Sequence, residues 1–162
     1  MLIRFIVTTL LALALSGTLR AQKLKSDSVV HFTSAQIDST ARLIPGSEKP
    51  SRLLAVSKEK ESYLIVVRTK EGAAEIHEQF DDVAIIRAGA GILRTGSDLK
   101  GGKVTGANGK REWLGGAISE PKERRIKTGD FLVIPAMLAH QFIPASGDSL
   151  VYYVIKVKHH PQ

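Results

Sequence analysis

The chain has 162 residues, no cysteine and a formal net charge of +7 at pH 7. The absence of cysteine excludes disulfide bonds, zinc–thiolate sites and thiol nucleophiles. Lysine and arginine are scattered rather than concentrated in one run, which argues against nucleic-acid binding, and the length suits one folded domain with a substantial core.

The first 21 residues have the order of a secretory signal peptide. Arg4 precedes an apolar run over residues 5–15, small residues follow, and we expect cleavage after Ala21. The run is shorter than the about 20 residues that a spanning helix needs, so we expect no membrane association after cleavage, with an uncleaved anchor as the alternative. Loss of Arg4 and Arg20 would lower the charge from +7 to +5. The leader predicts a periplasmic or secreted protein.

Residues 22–51 are predicted to form an N-terminal arm and one short α-helix. Thr33 or Ser34 can cap a helix over residues 35–43, which Pro45 and Gly46 end. The helix is expected to lie outside the main domain.

Residues 52–158 are predicted to form a β-domain of about nine short strands. The strands are expected at 53–56, 63–67, 73–80, 83–88, 92–94, 112–118, 131–134, 139–143 and 150–157. A loop or loose hairpin is expected over residues 95–110, a charged turn region over 120–127 and a polar tail over 159–162. Asn108 and Gly109 are a tight-turn signal within that loop. Short strands with regular turn signals indicate an all-β sandwich or barrel.

One predicted strand carries two residues with metal-binding chemistry. Glu75 and His77 are two positions apart, so their side chains point to the same face of a strand, while Ile76 points to the other. A carboxylate and an imidazole inside a barrel are costly unless they are paired or bind a metal. We therefore expect a polar site on this face.

Two adjacent aspartates follow, and strand alternation allows only one to face the same site. Asp82 is in phase with Ala84 and Ile86, whereas Asp81 is in phase with Arg87, which prefers solvent. The phase favours Asp82, and Asp81 stays the alternative because strand starts are irregular.

Two of the five histidines are candidates for this site. His31 is predicted to be a surface or satisfied core residue, and His159 and His160 lie in the polar tail, where disorder is expected. His77 and His140 remain.

The region of His140 resembles the second conserved motif of the cupins. In that motif a glycine, a proline and a histidine follow in order, as Gly129, Pro135 and His140 do here, with five residues between the first two. The region of His77 is similar to the first cupin motif. His77 takes the place of its second histidine, and Asp82 and Gly89 take those of its glutamate and closing glycine. The resemblance covers residues 53–157.

The resemblance implies an all-β, cupin-type double-stranded β-helix barrel of jelly-roll character, with the short N-terminal α-helix outside it. It also implies a divalent metal in the barrel. Four positions depart from the usual pattern. Glu75 replaces the first histidine, Asp82 the glutamate, Met137 a glycine and Pro144 an asparagine.

The residues themselves make a mixed nitrogen and oxygen donor set. Two imidazoles from His77 and His140, with Asp82 and Glu75, suit Fe(II), Mn(II), Ni(II) or Zn(II). The alternative is a metal-free polar cluster in which Glu75 is hydrogen-bonded to both histidines.

Three aromatic residues are candidates for the pocket wall. Trp113 is placed at the barrel mouth, Phe142 shares a strand face with His140, and Tyr153 shares one with Val151. Ordinary core packing is the alternative for all three.

The sequence thus predicts a metal-binding barrel that takes a small-molecule ligand, with dioxygenase-type or isomerase-type chemistry. A non-catalytic ligand-binding module and a purely structural or partner-binding domain are the alternatives. A homodimer formed through strand edges is also expected. The sequence contains no glycine-flanked nucleophilic serine, so serine hydrolase chemistry has no support.

Overall fold

The structure is a computed structural model that describes residues 20–25, 28–45, 50–58, 61–105 and 112–160. Residues 1–19 of the expected leader lie outside the described residues, so its cleavage and export stay predictions. The described residues form one helix and fourteen strands. In chain order they are β1 (Gln22–Lys23), α1 (Ser34–Leu43), β2 (Ser51–Val56), β3 (Ser62–Arg68), β4 (Glu75–His77), β5 (Phe80–Ala88), β6 (Ala90–Gly96), β7 (Leu99–Lys100), β8 (Lys103–Thr105), β9 (Glu112–Leu114), β10 (Ala117–Ile118), β11 (Lys122–Lys127), β12 (Phe131–Ile134), β13 (Ala139–Pro144) and β14 (Leu150–Lys158).

The strands form two six-stranded sheets and a small ribbon. The first sheet has the order β1-β2-β3-β14-β5-β12, the second has the order β11-β6-β13-β4-β9-β8, and β7 pairs with β10. The pairs are antiparallel except for the short contact of β1 with β2.

Eight of these strands have the connectivity of a jelly roll. Taken in chain order, the eight are β3, β4, β5, β6, β11, β12, β13 and β14. The first sheet contains the first, eighth, third and sixth of them side by side, and the second sheet contains the second, seventh, fourth and fifth. Two Greek keys wound in this way define the jelly roll. The predicted all-β fold of jelly-roll character is confirmed.

The main core lies between the two sheets and is built by alternation along each strand. On β14, Tyr152 and Val154 are buried in this core, whereas Val151 and Tyr153 pack on the outer face. The buried members of the core are Val66, Ala84, Ile86, Leu93, Ile126, Ile134, Phe142, Leu150, Tyr152 and Val154. Burial of such a set is the main source of the barrel's stability.

Helix α1 packs on the outer face of the first sheet. It begins one residue before the predicted start, and Thr33 caps it: the Gln36 amide donates to Thr33 Oγ1 over 3.3 Å, and the Thr33 amide donates to Gln36 Oε1 over 2.9 Å. This capping box satisfies two amide groups that the first turn leaves without partners. Ile37 buries the helix against Ile65 and Val67 of β3. Among the described residues, no helix has the length and apolar character that crossing a membrane would need.

Two segments are more regular than predicted. The glycine-rich residues 95–105 include the short strands β7 and β8, while Asn108 and Gly109 lie outside the described residues. The charged residues 122–127 form β11, which pairs with β6 along its whole length and buries Ile126. Because β11 is an edge strand, its other side chains reach solvent, and that exposure accounts for the charged composition.

Candidate metal centre

The four predicted donor residues meet where the two sheets face each other. Glu75 and His77 lie on β4, and His140 on β13 is the direct register partner of Glu75 in the second sheet. Asp82 lies near the start of β5 in the first sheet. The cluster therefore joins strands from both sheets.

The donor atoms are close enough to share one ion. His77 Nε2 lies 3.6 Å from Glu75 Oε2 and 3.4 Å from Asp82 Oδ2. His140 Nε2 lies 3.7 Å from Glu75 Oε1 and from Asp82 Oδ2. Glu75, His77 and His140 each offer one ligand atom, and these atoms lie within 4.8 Å of one another. Atoms bound to one ion at about 2.1 Å stand roughly 3.0 to 3.6 Å apart, so the spacing fits a shared cation.

His140 provides the most specific sign of a cation. Its Nδ1 lies 3.0 Å from the carbonyl oxygen of Leu138, so Nδ1 carries the ring hydrogen and donates it. In the neutral ring Nε2 then has a bare lone pair, and this atom is buried and has no hydrogen-bond partner among the described residues. That lone pair faces the carboxylates of Glu75 and Asp82. Lone pairs directed at one another repel unless a positive group lies between them, and a metal-bound histidine has this arrangement.

The two aspartates point in opposite directions, as the strand phase predicts. Asp82 is buried at 4% exposure within the cluster. The Asp81 carboxylate instead accepts a hydrogen bond from the Ala136 amide over 2.7 Å and lies 3.0 Å from His159 Nδ1. The prediction that His159 belongs to a disordered tail is wrong, because this contact and the hydrogen bond from its amide to the Gln79 carbonyl dock it on the barrel.

Lys156 brings a positive charge into the cluster. It lies on β14 directly opposite Asp82, and its Nζ is 2.9 Å from Asp82 Oδ1 and 3.3 Å from Oδ2. The same Nζ is 2.7 Å from His77 Nε2. Only one hydrogen can lie between two nitrogens at this distance, so His77 Nε2 accepts it and the ring hydrogen of His77 is on Nδ1.

The electrostatics of His77 are set by several opposing groups. Burial acts to lower the pKa of His77, but the Asp82 and Glu112 carboxylates outweigh burial and the charge of Lys156, and they raise it to about 9. An imidazolium could not accept from the Lys156 ammonium, so the hydrogen bond from Lys156 belongs to the neutral form of His77.

The carboxylates of Asp82 and Glu112 are held in their ionised form. Burial acts to raise the pKa of Asp82, but His140, His77 and Lys156 together lower it well below its usual range. Interaction with His77 lowers the pKa of Glu112 against a smaller opposing effect of burial. Ionised carboxylates are the form that binds metal.

A cavity of ≈ 680 Å³ opens beside the cluster. Glu75, Asp82 and Lys156 reach its wall, together with Arg68 and Tyr152. Its volume lies in the range of small-molecule pockets.

The polar wall of the cavity is held by short contacts. Arg68 Nε donates to the Tyr152 hydroxyl over 2.8 Å, and the Arg68 guanidinium lies 3.7 Å from Glu75. A side chain at Gly72 would collide with that guanidinium, so glycine is what lets Arg68 lie against the backbone there. Burial raises the pKa of Tyr152, which keeps its hydroxyl protonated.

Comparisons with known proteins concern the fold. No family model matches this sequence, and the curated proteins give no match. Among solved structures, the chain is similar to BH2720 of Bacillus halodurans, with a TM-score of 0.54 and 13% identity over 84% of this chain and 87% of that one. It is also similar to a cupin 2 conserved barrel domain protein from Rhodopseudomonas palustris, with a TM-score of 0.46 and 18% identity over 72% of this chain and 70% of that one. A cupin protein from Bacteroides fragilis has a TM-score of 0.42 and 16% identity over 63% of this chain and 69% of that one.

The jelly-roll order of the eight core strands decides the fold, and both motif regions converge inside it. The chain has the cupin fold. The resemblance stated from the sequence therefore holds at the level of the barrel.

Two of the three predicted pocket aromatics lie elsewhere in the cupin barrel. Phe142 lines the cavity, where it stacks on Tyr152 with ring centroids 4.4 Å apart. The prediction for Tyr153 is wrong, because β14 turns its Tyr152 face inward and packs Tyr153 in the cluster beneath α1. The prediction for Trp113 is also wrong. Trp113 is the register partner of Ile76 and packs with it on the outer side of the second sheet.

Three polar residues of the site were not predicted. Lys156 and Arg68 lie on the inward faces of β14 and β3, and Glu112 lies opposite His77 in register, with its Oε1 3.6 Å from Nδ1. The available signal was strand phase, since Lys156 is two and four residues from the buried Val154 and Tyr152 and therefore shares their strand face.

Proposed function

We propose that this cupin barrel binds a divalent transition metal through Glu75, His77, Asp82 and His140. The observation that carries the proposal is the buried lone pair of His140 Nε2, which faces two carboxylates. Two imidazoles and two carboxylates form a mixed donor set that suits Fe(II), Mn(II), Ni(II) or Zn(II).

The cavity beside the donors would hold a small, oxygen-bearing ligand. Arg68 and the Tyr152 hydroxyl supply hydrogen-bond donors on its wall, and the stacked ring of Phe142 supplies an apolar surface. A bound divalent ion would polarise an oxygen of the ligand, and iron would add reactivity with O2. Dioxygenase-type or isomerase-type chemistry is the reaction class that we propose. The predicted leader supports a periplasmic or secreted location.

Metal titration of single variants tests the proposed ligands. We expect His140→Ala and His77→Ala each to weaken Mn(II) binding at least about a hundredfold, because each removes a neutral nitrogen donor. Isothermal titration calorimetry measures the affinity, and circular dichroism checks that each barrel is folded. His160→Ala, an exposed histidine of the tail, is the matched control. Unchanged binding in both folded variants would place the metal elsewhere.

A second candidate function is a metal-free, ligand-binding barrel. The position of Lys156 favours it, because its ammonium already supplies positive charge to Asp82. This candidate predicts that a small carboxylic acid raises the melting temperature of the metal-free protein without being consumed. Metal binding in the titration above would decide for the first proposal.

A further inference from the structure

Lys156 occupies an unusual position for a lysine. It continues the inward face of β14, two residues beyond the buried Val154, and only 20% of its side chain is exposed. Its register partner across the strand pair is Asp82. The register of β14 with β5 therefore places the ammonium within the donor cluster.

The Lys156 ammonium donates hydrogen bonds to lone pairs of His77 and Asp82 that a metal would need. His77 Nε2 has one lone pair, and at 2.7 Å it accepts from Lys156 Nζ. The same Nζ lies 2.9 and 3.3 Å from the two oxygens of Asp82. Because one imidazole lone pair cannot serve a hydrogen bond and a metal together, the two modes of binding at His77 exclude each other.

Lys156 reaches neither of the remaining donors, Glu75 and His140, although the Arg68 guanidinium lies 3.7 Å from Glu75. No contact of Lys156 with His140 or Glu75 occurs within hydrogen-bond distance in the described part of the chain, and His140 Nε2 keeps its bare lone pair. The lysine thus neutralises one side of the cluster only. The side formed by Glu75 and His140 stays able to receive an incoming ion.

We propose that Lys156 is an intramolecular competitor for the metal, holding His77 and Asp82 until an ion displaces its ammonium into the neighbouring cavity. The inference rests on the proposed metal site. The cavity offers the displaced group a place, since Lys156 lines its wall and lysine has a long, flexible stem. Metal affinity is then lower than the donor set alone would give, by the strength of the contacts that Lys156 must release.

Affinity measurements on two lysine variants test the competition. Lys156→Met keeps the length of the stem and removes the ammonium, so Mn(II) should bind it roughly tenfold to a hundredfold more tightly than the wild type. Lys158→Met removes the same charge from an exposed position of the same strand and should bind like the wild type. Isothermal titration calorimetry on metal-stripped, untagged protein gives all three affinities.

The outcomes separate the two claims. Equal or weaker binding by Lys156→Met would overturn the competition and leave the metal site standing. Binding by none of the three proteins would overturn the metal site itself. Binding by Lys156→Met alone would support the competition but overturn the proposal that the wild-type protein holds a metal.

Chemical labelling tests the same displacement in the wild-type protein, where folding of a variant is not in question. Acetic anhydride acetylates accessible amines, and peptide mass spectrometry reads the extent at each lysine. Mn(II) should raise acetylation of Lys156 several-fold relative to that of Lys158, because displacement frees its ammonium from His77 and Asp82. Unchanged or reduced acetylation of Lys156 in metal-saturated protein would overturn the proposal.

Discussion

At the scale of single residues, the case for a metal rests on how each imidazole is held. His140 has its Nδ1 fixed by the Leu138 carbonyl, which leaves Nε2 pointing at carboxylates. This fixes both the ring orientation and the tautomer before any ion arrives. His77 differs, since Lys156 occupies its Nε2. His140 can therefore bind an ion directly, whereas His77 must first release Lys156.

The ionisation of Asp82 predicts a specific acid sensitivity. Its pKa is lowered in the folded protein, so its stabilising contribution is present above the unfolded value of about 3.9 and is lost as pH falls from there toward the folded value. Between pH 6 and pH 2.5, the metal-free wild type should lose at least about 1 kcal/mol more unfolding free energy than Asp82→Asn. Urea titrations at the two pH values measure the difference.

The exposed Asp148 provides the control for that measurement. Asp148→Asn removes the same carboxylate from a surface turn and should keep the acid loss of the wild type. An Asp82→Asn protein that loses as much stability as the wild type would show that this carboxylate is not held in its ionised form by the fold.

Strand phase made part of the site predictable at this scale. It separated Asp82 from Asp81 because β5 alternates regularly. The same phase places Lys156 with Tyr152 and Val154, but a lysine near a strand end is ordinarily expected in solvent. Its inward position depends on the pairing of β14 with β5, which joins residues 74 positions apart. No local pattern carries that information.

At the scale of elements, the turn before β13 adopts a costly backbone conformation. Met137 has φ +65°, in the left-handed region that side chains other than glycine rarely adopt. Its amide donates to the His77 carbonyl over 2.8 Å, so the turn also ties β13 to β4. The cupin resemblance places a glycine at this position.

Met137→Gly should therefore stabilise the barrel. Relief of the left-handed conformation is worth about 1 to 2 kcal/mol, and the added freedom of the unfolded glycine costs about 0.5 to 1 kcal/mol. A net gain of roughly 0.5 to 1 kcal/mol in the free energy of unfolding is expected, and urea denaturation measures it. Met137→Ala keeps the strained φ and serves as control. A gain in the alanine variant equal to that in the glycine variant would assign the effect to the exposed methionine side chain.

The limits of prediction at this scale come from long-range pairing. The helix was predictable from Thr33, whose capping box is local. The charged composition of residues 120–127 lacks alternation and predicts a turn region, and only the pairing with β6 makes β11 a strand. Tyr153 shares an apolar strand face with Val151, and that face predicts a pocket position for it. Helix α1 covers this face, and strand phase alone cannot show which face of β14 the helix covers.

At the scale of the whole molecule, the donors connect the two sheets of the barrel. His77 and His140 belong to one sheet and Asp82 to the other. An ion bound to all of them would bridge the sheets only in the folded state. Mn(II) at a hundredfold excess over its dissociation constant should stabilise the fold by about 2.7 kcal/mol and raise the melting temperature by several degrees. Differential scanning calorimetry measures the shift, and His140→Ala should show none.

The metal content of the purified protein tests the central claim most directly. Untagged, metal-stripped protein is incubated separately with Fe(II) under anaerobic conditions, Mn(II) and Zn(II), freed of excess ion, and analysed by inductively coupled plasma mass spectrometry. The structure predicts close to one ion per chain for at least one of the three metals. Protein that carries none of them above the level of the His140→Ala variant would contradict the account.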